Sequence, residues 1–143
     1  MTKEEIFAIM NQNPAFFLAT VEGDQPRVRG MLLYKADESG IVFHTGTMKD
    51  VYAQIVANPK AELCFNNKTG LQVRVRGTLT CIEDTKIKDE ISEHPSRVFL
   101  KQWKESGEMS DFYRTFAVFS MKDGVAVTWS IDRNFAPKED IQL

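Results

Sequence analysis

Cysteine and histidine are scarce, with two of each in 143 residues. Cys64 and Cys81 form no CxxC pair and share no ligand spacing with a histidine, which argues against a structural zinc site. Each sits in an apolar, strand-like run, so both are expected as buried core thiols. No long apolar run occurs, and the N-terminal "MTKEEIFAIM" lacks the apolar stretch of a signal peptide or membrane helix. The expectation is a cytoplasmic protein with no membrane partner. A basic excess is also missing: the net charge is −2, which gives nucleic acid nothing to bind. Neither GxGxxG nor a GxxxxGK run closed by Ser or Thr occurs, so a bound phosphate would need a different cradle. With no internal repeat and no linker, the length predicts one domain over 1–143.

What is present reads mostly as short strands. Thr2 followed by Glu5 predicts a capping box, and Ile6, Phe7, Ile9 and Met10 give the helix behind it an apolar face. "FFLATV" (16–21) reads as a buried strand, "RVRGMLLY" (27–34) as a second and "IVFHT" (41–45) as a third, joined by tight turns into a meander. A helix over about 48–57 follows, with Val51, Ile55 and Val56 at helical spacing. "AELCF" (61–65) is a fourth strand. "LQVRVRGTLTC" (71–81) alternates most clearly, apolar on one face and polar through Gln72, Arg74 and Arg76 on the other, with Gly77 marking a bulge or bend. Residues 84–105 read as helix in two pieces, broken near Pro95. "FAVFSM" (116–121) and "VAVTWSI" (125–131) read as a final hairpin, and the polar tail after them as loose or laid on a partner. The sum is a mainly β chain with flanking helices, predicted as a six-stranded closed antiparallel barrel.

The stretch "FHTGTMKD" (43–50) stands out. Hydroxyls, a glycine and Lys49 gather at a helix start, where carboxylates are ordinarily favoured by the helix dipole. A ligand phosphate would supply the missing negative charge. Arg27 and Arg29 share one face of the second strand and could add a guanidinium fork. Each piece also has an ordinary explanation. The arginines could pair with Glu22 or Asp24, Thr45 or Thr47 could cap the helix, and Lys49 could be a plain surface lysine.

The ordered run "QPRVRGMLLY…GIVFHTGTMKDVYAQIVANPKAELCF…LQVRVRG" resembles the pyridoxamine 5′-phosphate oxidase-like family of FMN-binding split barrels over roughly residues 14–82. The resemblance implies a flavin phosphate held by Arg29, Thr45 and Lys49. It implies flavin contacts from His44 and Gln72, and from the main chain of Gly30, Met31 and Leu32. It further implies a homodimer with FMN at the subunit boundary and no catalytic triad or nucleophile of the protein's own. Trp103 or Trp129, from the same or a second subunit, would line the space for a small organic substrate. The chain departs from the oxidases proper in having Tyr34 where they carry lysine and His44 where tyrosine is usual. Its tail also lacks their histidine-bearing segment, so pyridoxamine phosphate is not the implied substrate. It looks more like the short general-stress-protein and nitroimidazole-reductase-like members. Three alternatives stay open. One is a flavin-binding, stress or electron-transfer protein without turnover. Another is a haem-binding split barrel using His44 or His94. The third is a deazaflavin F420 binder with Arg74 and Arg76 in a basic groove.

Overall fold

A computed structural model of the chain describes residues 1–106 and 111–143. Helix α1 (Lys3–Gln12) precedes strands β1 (Ala15–Glu22), β2 (Gln25–Asp37) and β3 (Gly40–Gly46). Helix α2 (Asp50–Ala57) leads to β4 (Lys60–Asn66) and β5 (Gln72–Ile82). Helices α3 (Thr85–Glu93), α4 (Val98–Ser106) and α5 (Phe112–Thr115) follow, with a 3-10 turn at Pro95–Arg97 between the first two. The chain ends in β6 (Phe116–Met121), β7 (Val125–Trp129) and β8 (Ile141–Gln142).

The sheet order is β4-β1-β2-β3-β6-β5-β7-β8, and an extra β4–β5 pairing closes the first six strands into an antiparallel barrel. The predicted six-stranded split barrel is the observed fold, with two added strands. The barrel is filled by aromatic rings. Phe16 stacks on Phe65 at 4.9 Å and meets Phe43 edge-on at 5.5 Å, while Phe43 lies 6.0 Å from Phe119. Alternation along each strand sends these rings to one interior. Helix α1 closes one end with Ile6 and Met10, and its Thr2–Glu5 capping box forms as expected. A second apolar cluster, Val42, Ile91, Leu100, Phe112, Phe116 and Val118, packs helices α3 to α5 against the β3–β6 face.

Several expectations change. β6 and β7 do not pair with each other. Leu79–Ile82 of β5 pair with β6, whereas Gln72–Arg76 pair with β7, so the two strands follow one another along the same edge of β5. Gly77 sits at this exchange, and a Cβ there would lie 2.8 Å from the Met121 sulfur. The tail is not loose, because β8 pairs with β7. β1 is buried on one face only, with Phe17 outward. In α2 the buried positions are Val51, Gln54 and Ile55, and Val56 points to solvent. Cys64 and Cys81 are half-buried rather than core residues.

One irregularity shapes the rest. Leu33 pairs with Phe43 and Lys35 with Val42, leaving Tyr34 as an extra residue in β2. Such a bulge bends its strand and ends regular pairing. Before it, Gln25–Leu32 pair with β1 alone, and beyond Phe43 strand β3 pairs only with β6. The two strands part, and a cleft opens between them.

Candidate functional site

The cleft is a pocket of about 660 Å³. Arg29, Gly30, Met31 and Leu32 of β2 form one wall, and His44, Thr45 and Gly46 of β3 the other. Met48, Lys49 and Val51 close one end, and Phe99, Leu100, Trp103 and Phe116 cover the opposite side. The volume suits a cofactor or drug-sized ligand. The structure therefore gathers Arg29, Gly30, Met31, Leu32, His44, Thr45, Lys49 and Trp103 around one space. It does not bring Gln72 or Trp129 there. Gln72 donates to Asn66 Oδ1 at 3.2 Å, and Trp129 Nε1 donates to Asn134 Oδ1 at 2.9 Å, beside a separate small pocket at the tail.

The end of the pocket near α2 is polar and cationic. Arg29 Nη1 donates to Thr20 Oγ1 at 2.7 Å and to the Leu18 carbonyl at 3.2 Å, and Nη2 donates to Gln54 Oε1. Thr20 Oγ1 donates in turn to Gln54 Oε1 at 2.7 Å, and Gln54 Nε2 to Glu22 at 3.2 Å. A guanidinium has five N–H groups. Three are spent on holding its position, and two are left for a ligand. Burial and the nearby Arg27 both press the Arg29 pKa downward, while Asp50 raises it. Arg27 itself pairs with Glu22 at 3.1 Å, the ordinary role considered for it.

Helix α2 starts beside this guanidinium. Its N-cap is Lys49, with no side-chain cap, so neither Thr45 nor Thr47 plays that part. First-turn N–H groups of a helix need partners, and here no side chain supplies one. The Lys49 side chain is exposed and has no ion-pair partner among the described residues. Arg29 and Lys49 thus converge with the free helix donors, and the two carboxylates beside them are Asp50 at the helix start and Glu22, which is paired with Arg27.

The other end is apolar, apart from His44. Its Nε2 accepts a hydrogen bond from Arg97 Nε at 3.0 Å. Burial first, and the Arg97 cation second, hold the imidazole at about 4, so it is neutral near pH 7. Thr20, Gln54 and Arg97 escaped the sequence reading. Gln54 carried one signal, a polar residue three places from Val51 on the buried stripe of α2. Thr20 sat among apolar neighbours in β1, and Arg97 in a helix break, with nothing to mark either.

Three comparisons bear on this geometry. The family model described as pyridoxamine 5′-phosphate oxidase matches residues 2–123. A pyridoxine/pyridoxamine 5′-phosphate oxidase of Rhodopseudomonas palustris is 36% identical over 95 residues, 65% of this chain and 45% of the relative. The chain therefore spans about half the length of the curated relatives it matches. A nimc/nima family protein from Clostridium acetobutylicum superposes with a TM-score of 0.76 at 25% identity, covering 98% of this chain and 92% of that one. A pyridoxamine 5′-phosphate oxidase-related, FMN-binding protein from Nostoc punctiforme superposes with a TM-score of 0.66 at 19% identity, covering 96% and 88%.

Proposed function

Because the chain belongs to the pyridoxamine 5′-phosphate oxidase family, we propose that it binds FMN in this cleft and acts as an oxidoreductase on a small organic molecule. One observation carries the reading: a cationic end with spare donors opens onto an apolar slot in a single pocket, matching a phosphate joined to a flat ring system. Arg29 would bind the phosphate with its two unspent N–H groups, and Lys49 and Thr45 would close the cradle. Gly30, Met31 and Leu32 lie on the edge of β2 that β3 has left, so their main-chain groups can face a ring edge. A Cβ built on Gly30 would meet nothing within 4 Å, which leaves open space there. Bound flavin would supply the redox chemistry itself. The protein's residues would anchor, orient and exclude water: Phe99 and Trp103, 5.8 Å apart, cover the slot and leave room for a small substrate beside them.

Pyridoxamine phosphate is not the substrate in this reading. Tyr34 packs over Arg97 at 5.7 Å, and the tail runs as β8 against β7. Haem gains no support, because His44 gives its Nε2 lone pair to Arg97 and His94 lies outside the pocket. Nor does a basic groove for F420 form, because Arg76 pairs with Asp140 at 2.6 Å and Arg74 faces Glu62 at 3.8 Å.

A second copy of the chain would complete the site. Phe17, Val28 and Leu32 share the outer face of the β1–β2 hairpin at 53%, 68% and 39% exposure, next to the open side of the pocket. Burying this patch is the expected source of a homodimer. Sedimentation should give a dimer that Val28→Glu dissociates, and a monomeric wild-type protein would end this part of the reading.

The decisive experiment is the visible spectrum of the purified protein, with mass spectrometry of what heat releases. A flavin spectrum with FMN released supports the proposal. A colourless protein that also fails to take up added FMN overturns it. FMN bound in full with no reduction of any acceptor by reduced nicotinamide would instead favour a flavin-binding protein without turnover.

A further inference from the structure

Arg97 is 3% exposed, and the cradle does not use it. The break at Pro95–Arg97 turns it inward between α3 and α4. Its Nε donates to His44 Nε2 at 3.0 Å, Nη2 to the Leu33 carbonyl at 2.8 Å and Nη1 to Ser96 Oγ at 3.0 Å. The Tyr34 ring lies against it. Among the described residues no carboxylate pairs with it. The nearest acid in the network, Glu90, is reached only through the Tyr34 hydroxyl, at 3.2 Å.

A guanidinium only donates. His44 Nε2 must therefore be the unprotonated nitrogen, and the single ring proton must sit on Nδ1. That N–H has no partner among the described residues, while the ring lines the pocket between Phe99, at 6.4 Å, and Phe116, at 5.1 Å. We propose that Arg97 is a positioning residue that locks His44 in the Nδ1–H tautomer, giving the apolar end of the pocket one fixed donor backed by a buried positive charge. This deepens the reading of the cleft as a ligand site. The pair selects an occupant whose acceptor oxygen carries full or partial negative charge, such as a carboxylate, nitro or carbonyl group, because an apolar group there would strand the donor. The groups around His44 are Arg97, which is always charged, Tyr34 and Glu90 behind it, and His94, which meets the Tyr34 ring edge-on and reaches Arg97 only through the Ser96 hydroxyl that its Nδ1 hydrogen-bonds at 2.7 Å.

Nitrogen NMR of histidine-labelled protein tests the tautomer without requiring flavin, so this result stands apart from the success or failure of the FMN reading. There are two histidines, and His94→Gln assigns the pair. The expected spectrum shows His44 as Nδ1–H, unchanged between about pH 8 and 6. In Arg97→Met the ring should drift toward the Nε2–H form that free imidazole favours. A wild-type Nε2–H form overturns the proposal, as does a folded Arg97→Met protein with the tautomer unmoved. Should that variant not fold, the wild-type spectrum still decides. The selection is read by adding benzoate or toluene to the protein as purified. Benzoate should shift the His44 N–H and bind about tenfold tighter than toluene, the worth of one charge-assisted hydrogen bond. Equal binding, or no shift with benzoate, overturns the selection. If the N–H is shifted in flavin-loaded but not in stripped protein, the acceptor oxygen belongs to the cofactor rather than to the substrate.

Discussion

Arg29 reaches past its ladder partner Leu18 to Thr20, two residues along β1, and donates to the hydroxyl at 2.7 Å. Thr20 is 2% exposed and Gln54 5%, so the guanidinium is anchored from inside the barrel wall rather than from the surface. Thr20→Val removes an acceptor from Arg29 and a donor from Gln54 together. Urea unfolding should show a loss of about 1–3 kcal/mol, the cost of buried polar groups left unsatisfied. FMN affinity should fall as well, but by less than in Arg29→Ala.

Arg29→Ala and Lys49→Ala should each weaken FMN by about 1.5–3 kcal/mol, as the loss of a charge-assisted bond to phosphate. The Lys49 contribution should shrink with added salt, because its ammonium is exposed. Riboflavin, which lacks the phosphate, should bind wild type and both variants alike in a fluorescence titration. Equal FMN affinity in all three proteins would move the phosphate elsewhere.

The gathering of Arg29, Thr45 and Lys49 around one pocket was legible because they belong to a short ordered run, and one bulge lies between them and the regular part of the sheet. Gln72 was placed by resemblance and Trp129 as an aromatic able to reach the pocket from either subunit, and within one chain both lie at other parts of the barrel. The strand alternation gave the barrel, but hydrophobic period says which face a strand buries and not which neighbour it takes. That is why Phe116–Met121 and Val125–Trp129 read as a hairpin while each in fact pairs with its own half of β5. Arg97 was hidden for a similar reason, since its role depends on His44, 53 residues earlier in the chain.

His44 should leave a mark on stability against pH. An unfolded histidine takes its proton near 6.5, whereas the folded ring waits until about 4. As pH falls through that window the unfolded state binds the proton first, so stability present above 6.5 is lost towards 4. The linkage is worth about 3 kcal/mol. Urea midpoints measured across the window should fall, and His44→Gln should remove this part of the slope while leaving the carboxylate part below it.

Gly77→Ala tests the exchange point of β5. The new Cβ would press on Met121, whose sulfur would sit 2.8 Å away and its Cγ 3.0 Å. Overpacking of this kind costs about 1–3 kcal/mol. Chemical denaturation should show that loss with FMN affinity unchanged, because the site lies elsewhere on the barrel.

The unpaired Tyr34 has a consequence for what such a barrel can become. The cleft opens just before the point where β2 has one residue more than β3 can match. Its opening is a matter of counting along the backbone, and its chemistry is a matter of which side chains happen to line the gap. The two can therefore vary independently. Replacing the lining residues would exchange one guest for another while the doorway kept its place, whereas deleting the single residue at position 34 would let the strands zip past Phe43 and shut it without replacing any side chain that lines the gap.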